Sequence, residues 1–592
     1  MAADPPPAGR TPPAIEDYAL IGDGRTAALV GRDGSIDWLC WPRFDSPACF
    51  AALLGTPANG CWRIAPVAPV IGTTRHYRGD TMVLETIFET ASGSAALIDL
   101  MAPGQPALIR IVEGRTGAVP LRSDLILRFH YGAIVPWVTA APGGIHAIAG
   151  PDRVVLAADV PVQGQDMTTV AAFTVRPGDR VRFALAHGES HLPPVTPPDP
   201  DAALRAAEAQ GTAWSTRGRD AHPAVRRSLL TLKALSHQAT GGMVAAPTAS
   251  LPEWIGGQRN WDYRYCWLRD STFALRALLR AGHREEARAW GAWLRRTIAG
   301  SAEQMQVLYG LAGERAIVEW QVPWLAGYRD SRPVRIGNAA STQVQLDVYG
   351  EVLDALHREV ELGLVPARDS WGLVRALVEH LETIWERPDE GIWEVRGASR
   401  HFTFSKAMAW VAFDRAVRLM EGFGLPGPLD RWRAVRARIH ALVCDQGYDA
   451  RLGSFTQSFG SGTLDASLLL LPAFGFLPAD DPRMRATIEA IGRDLTADGL
   501  ILRYRTEDTD DGLPVGEGVF LACSFWYADA LAALGKREEA RALFERLLSL
   551  RNDVGLLAEE YDPVGRRQLG NFPQAFSHLA LVNTALTLDG VD

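Results

Sequence analysis

Two glutamates far apart in the chain are the residues best fitted to chemistry. Glu394 sits in Gly391-Ile392-Trp393-Glu394-Val395-Arg396, and Glu559 in Leu556-Leu557-Ala558-Glu559-Glu560-Tyr561-Asp562-Pro563. Cleavage of a glycosidic bond needs such a pair: one carboxyl protonates the leaving oxygen, and the other stays ionised and activates water or attacks the sugar. Burial beside Trp393 is expected to raise the pKa of Glu394 and keep it protonated. Arginines and hydrogen-bond donors are expected to hold Glu559 ionised. A third segment, Arg259-Asn260-Trp261-Asp262-Tyr263-Arg264-Tyr265-Cys266-Trp267-Leu268-Arg269-Asp270, packs two arginines and four aromatics into residues 261–269. Arg269 and Asp270 side by side offer donors and acceptors that suit sugar hydroxyls. Each motif also has a plainer explanation. Asp270 could serve only as a helix N-cap, and glutamates in loops are usually solvated.

Other chemistries are poorly supported. The 13 histidines form no HExxH or similar ligand spacing, and the six cysteines form no CxxC pair, so no metal site is expected. No GxSxG elbow occurs, and Gly516-Glu517-Gly518 lacks the lysine of a phosphate loop. The acidic run 506–512 (TEDTDDG), with Glu507, Asp508, Asp510 and Asp511, is expected to be a solvated loop. The formal charge of −9 disfavours a nucleic-acid partner or an anionic membrane. The longest apolar run, near 468–477, is broken by Pro472 and too short to span a bilayer. The N-terminal MAADPPPAGRTPP has no basic start followed by an apolar stretch, which points to a cytoplasmic chain with free thiols.

The elements that must position these residues fall into two halves. Residues 1–14 are expected to be a disordered Pro-rich tail. From 15 to 200 short apolar stretches alternate with turns, which predicts an antiparallel β-sandwich. Val154–Val160, Thr168–Val175 and Arg180–Ala186 are expected strands, the last two a hairpin across Pro177-Gly178-Asp179. Residues 201–222 are expected to be a linker. From 223 to 592 the period turns helical, with twelve candidate helices, among them 465–472. Short Gly turns join several of them, as αα-hairpins require. Six such hairpins closed in a ring would form an (α/α)6 barrel with the site in loops at one end.

At these residues the chain resembles glycoside hydrolase family 15, the glucoamylase-like family that includes bacterial and archaeal trehalases. The resemblance runs from Ile15-Glu16-Asp17-Tyr18 and Asp33-Gly34-Ser35-Ile36-Asp37-Trp38 through Trp267-Leu268-Arg269-Asp270, Arg332-Pro333-Val334-Arg335-Ile336-Gly337-Asn338 and Trp393-Glu394. It ends at Gly516-Glu517-Gly518 and Glu559-Glu560-Tyr561-Asp562-Pro563. It implies a β-sandwich joined to an (α/α)6 barrel and an exo-acting, inverting α-glucoside hydrolase that releases β-glucose. It implies Glu394 as general acid and Glu559 as general base, with Glu560 the alternative base. Trp267, Arg269, Asp270, Trp393 and Tyr561 are the implied substrate-binding residues. Val395 stands where fungal glucoamylases carry a second acidic residue. The short bacterial-type architecture resembles the trehalase branch most, so α,α-trehalose is the expected substrate. A glucoamylase or isomaltose-type α-glucosidase, a glycoside phosphorylase and a non-catalytic glucoside-binding protein are the alternatives. The expected partner is a small α-glucoside, and a homo-oligomer is compatible with the chain. The two-carboxylate scheme calls for no cofactor, and nothing in these motifs specifies phosphate or Mg²⁺.

Overall fold

The computed structural model describes residues 12–219 and 222–591. Most of the stretch 1–14, expected to be a tail, lies outside the described residues. Two antiparallel sheets of eight strands follow. The first runs, in spatial order, Tyr18–Gly22, Ala27–Gly31, Ser35–Cys40, Cys61–Pro66, Val119–Ile126, Thr168–Val175 and Gln163–Gln165, with Ala48–Phe50 beside the third strand. The second runs Trp137–Ala141, Gly144–Ala149, Asp152–Ala158, Arg180–Glu189, Ala107–Gly117, Gly93–Met101, Leu84–Thr90 and Val70–Tyr77. Ala27–Gly31 and Ser35–Cys40 are buried along their whole length. They are covered on both faces, which is why they lack the in-out alternation of a half-exposed strand.

The Pro177-Gly178-Asp179 turn does not close a hairpin. Thr168–Val175 pairs with Val119–Ile126 in the first sheet, whereas Arg180–Glu189 pairs with Ala107–Gly117 and Asp152–Ala158 in the second. The turn residues fix a tight change of direction, with Gly178 at φ +91°. They do not fix which sheet receives the next strand. That is set by the long apolar partners each strand finds. The stretch expected as a linker is also largely regular: α1, Pro200–Ser215, is capped by the Asp199 carboxylate on the Ala202 N–H and packs on the second sheet.

Eleven more helices follow: α2 Pro223–Ala234, α3 Asp270–Arg280, α4 Arg284–Ile298, α5 Asp347–Glu361, α6 Ala367–Ile384, α7 Thr403–Phe423, α8 Leu429–Gln446, α9 Pro482–Asp494, α10 Leu521–Ala533, α11 Arg537–Ser549 and α12 Ala575–Leu588. The expected helix at 465–472 is a five-residue 3₁₀ turn, Ala466–Leu470. Asp465 caps it by accepting from Ser467 N, and Pro472 forecloses its extension into an α-helix. The inner ring closes as α3, α5, α7, this 3₁₀ turn, α10, α12 and back to α3. Outside it lie α4, α6, α8, α9, α11 and α2, each against one or two inner elements. The inner α10 and α12 are apolar around most of their circumference, as a helix enclosed on all sides must be. The outer α4 carries Glu285 and Glu286 in its first turn and Arg295 and Arg296 in its last, complementing its dipole.

One apolar core runs from the sandwich into the barrel. Polar locks fix the two against each other. Trp38 Nε1 donates to Pro247 O at 2.8 Å, and Arg75 pairs with Asp553 at 2.7 Å. The fully buried Arg264 guanidinium donates to both oxygens of Asp262, to Ser46 O at 2.7 Å and to the Tyr131 hydroxyl at 2.9 Å. Arg264 thereby ties the aromatic segment 261–267 to the sandwich. The segments entering α3, α5, α7, α10 and α12 then converge at one end of the ring. Among the described residues no helix is long and apolar enough to cross a membrane.

Candidate active site

The convergence forms a narrow polar cleft lined by Glu253, Arg259, Trp261, Tyr263, Asn338, Gln343, Trp393, Glu394, Arg396, Arg503, Tyr504 and Asp511, among others. Glu394 ends a tight turn in which its own N–H donates to Gly391 O at 3.1 Å. Its φ of +58° is in the left-handed region, a strained placement for a side-chain-bearing residue and one that recurs at functional sites. Two donors converge on its Oε1: Trp267 Nε1 at 2.6 Å and an Arg269 NH group at 3.1 Å. Arg269 also donates to Ile392 O at 2.8 Å, so the same guanidinium fixes the backbone of the turn. Asp270, the first residue of α3, meets Arg269 Nε at 3.2 Å.

Glu559 is 1 % exposed and lies behind the wall of the cleft. The Tyr263 hydroxyl, on the cleft surface, donates to Glu559 Oε1 at 2.6 Å, and Asn571 N donates to Oε2 at 3.3 Å. Tyr263 and Trp267 meet edge to face with centroids 5.2 Å apart. The two glutamates, 165 positions apart by number, are therefore joined by one continuous chain: carboxylate, tyrosine, tryptophan, carboxylate. Gly570, at φ +73°, makes room for the second of them. A Cβ there would stand 2.5 Å from Glu559 Oε2. Glu560 begins the strand Glu560–Asp562, where successive side chains take opposite faces. Its Oε2 accepts from Gly518 N at 2.7 Å. Tyr263 thus links Glu559, and not Glu560, to the cleft wall.

The electrostatics differ from the sequence expectation. Burial raises the Glu394 carboxyl, as expected, with Arg269 and Trp267 opposing it. The indole expected to flank it points elsewhere: Trp393 Nε1 donates to Asp465, at 2.9 Å to one oxygen. Glu559 is not held low by arginines. Burial and then the neighbouring Glu253 charge push it up to about 8 against the Tyr263 hydrogen bond. The guanidiniums expected beside it are engaged one layer away. Arg503 bridges Glu253 and Glu517, and Arg259 meets Asp511 at 2.8 Å. Among the described residues one carboxylate trio, Glu253, Glu517 and Glu560, brings ligand-type oxygens within 4.8 Å of one another.

The structure therefore brings Glu394, Trp393, Trp267, Arg269, Asp270 and Glu559 together. Glu394 and Trp393 are on the cleft surface and the others directly behind it. It does not bring Tyr561 to the cleft. Tyr561 is half-buried on its strand, and the charges around its hydroxyl are Arg566, Glu16, Arg546 and Asp498, none of them lining residues. The acidic run 506–512 is also only partly the expected solvated loop. Asp511 is 2 % exposed and accepts from Arg259 and from the Tyr504 hydroxyl at 2.8 Å. Tyr263, Arg503, Glu253 and Arg396 were not singled out by sequence. Tyr263 and Arg396 lay inside flagged segments, but Arg503 and Glu253 had no local signal. Trp261 is held between two guanidiniums, Arg335 at 4.6 Å and Arg396 at 4.3 Å from its ring centre. This makes a rigid aromatic wall at the mouth.

Comparison with known proteins gives the family and the fold. Residues 219–586 match glycosyl hydrolases family 15, and residues 7–210 match the trehalase-like N-terminal family. The chain is 39 % identical to a trehalase of Mycolicibacterium smegmatis over 97 % of this chain and 91 % of that one. It is 34 % identical to a trehalase of Thermoplasma volcanium, covering 98 % and 94 %. A bacterial glucoamylase solved with acarbose superimposes with a TM-score of 0.75 at 13 % identity, covering 99 % of this chain and 96 % of that one. With its β-sandwich, its closed ring of helices and a family match over more than half its length, the chain belongs to glycosyl hydrolases family 15 and is a glycoside hydrolase.

Proposed function

We propose that the protein hydrolyses α,α-trehalose to two glucose molecules with inversion, Glu394 acting as general acid and Glu559 as general base. The observation that carries this reading is the chain of contacts from Glu394 through Trp267 and Tyr263 to Glu559, a hydrogen bond at each end and an edge-to-face ring contact between them. It ties two carboxyls to one aromatic pair, and single displacement through water calls for two carboxyls flanking the scissile bond. Glu394 gives its proton to the glycosidic oxygen. The carboxylate left behind is met by Trp267 Nε1–H and the Arg269 guanidinium. Glu559 takes a proton from the attacking water on the opposite face of the ring. Arg269 and Asp270 close the glucose end of the cleft, and Trp393 supplies an apolar wall, packed on Phe520 at 5.5 Å. The choice of trehalose is supported by relatives of that name that align along nearly the whole chain.

The test is direct. Glu394→Gln and Glu559→Gln each lower kcat on trehalose by about 10²–10⁴ with the fold retained, since each removes one general acid–base contribution. Proton NMR of the fresh product shows β-glucose. Near-wild-type turnover in either variant refutes that residue's role. Faster release of glucose from maltose or isomaltose than from trehalose refutes the substrate.

A further inference from the structure

Beside Glu559 lies a buried charge cluster that the mechanism above does not use. Glu253 follows the strand Ala249–Pro252, Glu517 precedes α10, Glu560 adjoins the base, and their oxygens lie within 4.8 Å of one another. All three side chains are 3 % exposed or less. With Glu559 and Asp511 they make five buried carboxyl groups facing two guanidiniums directly, Arg259 and Arg503, while a third, Arg335, acts on Glu253 at longer range. The remaining titratable neighbours, Tyr263, Tyr504 and the Cys523 thiol on α10, are all raised by burial and add no positive charge. Even with all three cations counted, five carboxylates would leave two uncompensated charges in a dry interior, which is strongly unfavourable. At least one carboxyl must keep its proton.

The donors decide which. Glu517 takes Arg503 and has Arg259 at 3.5 Å. Glu253 takes Arg503 at 3.2 Å and Trp261 Nε1–H at 2.8 Å. Glu559 takes Tyr263 and Asn571. Glu560 takes one backbone N–H, from Gly518, and its Oε1 is buried with no partner. An acceptor oxygen with no donor, set among other acceptors, is where a proton resolves the conflict: as O–H it becomes the donor the cluster lacks. A metal ion is a poorer solution, because Arg503 already bridges two of the three carboxylates.

We propose that Glu560 is held as a neutral carboxylic acid throughout turnover, donating its O–H within the Glu253–Glu517–Glu560 cluster, and that it acts as a positioning residue for Glu559. Were Glu560 ionised, a like charge would stand on the residue next to the base and suppress the base's ionisation. Neutral, it ties the base's strand to the Arg503 network without adding charge. This inference rests on Glu559 being the base.

The test compares the wild type with Glu560→Gln and Glu253→Gln. The amide is isosteric with the neutral acid, so E560Q folds and leaves both limbs of the pH profile of kcat/KM on trehalose where they are. E253Q removes a real charge and shifts a limb by about one pH unit. The infrared difference spectrum of wild type minus E560Q carries one protonated-carboxyl carbonyl band across the active pH range, above the bands that Glu394 and Asp347 give in both proteins. The proposal is overturned if E560Q moves a limb by about a unit or fails to fold, or if that difference band is missing. It is also overturned if the wild type binds one equivalent of Mg²⁺ or Ca²⁺ by calorimetry and E560Q does not. Failure of the base assignment shows separately, as near-normal turnover in Glu559→Gln.

Discussion

Gly570→Ala isolates the placement of the base from its chemistry. The added Cβ would stand 2.5 Å from Glu559 Oε2 and 2.7 Å from Glu559 Cβ, where ordinary contacts begin at 3.4 Å. Rotation of the carboxylate relieves the first contact and not the second, so Glu559 as a whole must move by about 0.7–0.9 Å, the shortfall in those two distances. Gly570 has no retreat, because its N–H donates to Pro252 O at 2.8 Å. Its neighbour Asn571 is cross-bonded to Glu559 by backbone and side chain. A displacement near 1 Å at a reacting group costs about 10²-fold in rate. The φ of +73° adds about 1–2 kcal/mol of backbone strain for alanine, which a protein of this size tolerates. The expected outcome is a kcat on trehalose about 100-fold lower, with KM within about threefold of wild type and a native circular dichroism spectrum. A kcat within about threefold of wild type refutes the claim that this glycine exists to seat Glu559. A rise in KM with unchanged kcat refutes the proposed role of Glu559 in the chemical step.

Two further outcomes follow from the buried charges. Arg264→Met leaves the Asp262 carboxylate in the core without its bidentate partner and cuts the tie to Ser46 and Tyr131. It destabilises the protein by about 3–5 kcal/mol in urea titration and lowers activity by loosening Tyr263. An unchanged urea midpoint refutes the lock. Asp347, at the start of α5, is fully buried with both oxygens unpartnered, and burial followed by the Asp389 charge raises it to about 8. Between about pH 4 and pH 8 the folded state keeps a proton that the unfolded chain has lost. Its stabilisation is full below about pH 4, falls by about 1.4 kcal/mol per unit through that window and is gone above about pH 8. Asp347→Asn removes this slope, and parallel pH–stability curves for wild type and variant refute the assignment.

Periodicity was enough to separate sandwich from barrel, because a two-residue and a 3.6-residue repeat are local properties of the chain. It failed where the outcome depended on a distant partner. The Pro177-Gly178-Asp179 turn is the same turn whether the next strand joins its own sheet or the facing one. Asp465 and Pro472 shorten a helical pattern to a 3₁₀ turn that still holds its place in the inner ring. At the site, Glu394 and Glu559 stood out through neighbouring aromatics, but the partner of each indole did not. Trp267, 127 positions from Glu394 by number, is the indole bonded to it, whereas Trp393, whose flank was expected to bury it, donates to Asp465. Tyr561 was carried into the site by a motif. Its side chain lies near Arg566 and Glu16 and not among the residues that line the cleft.

The electrostatics of the pair are more instructive than the expected scheme of a raised acid and a lowered base. An acid works by losing its proton in the transition state, so donors on its oxygen matter when the carboxylate forms. Trp267 and Arg269 are already aimed at Glu394 Oε1 and need no reorganisation at that moment. A base works by holding the proton it takes, so a raised proton affinity strengthens it so long as it starts ionised. Burial and the Glu253 charge supply that affinity to Glu559, and Tyr263 and Asn571 keep the ionised form accessible. The arginine sits on the acid and the like charge beside the base, the reverse of what resting pKa values alone would recommend. Each group is matched to the state it enters during the reaction, not to the state it leaves. Glu559 is already raised to about 8, and a further negative charge next to it would shrink its ionised fraction again, which is why the protonation of Glu560 bears on catalysis without that residue touching the sugar.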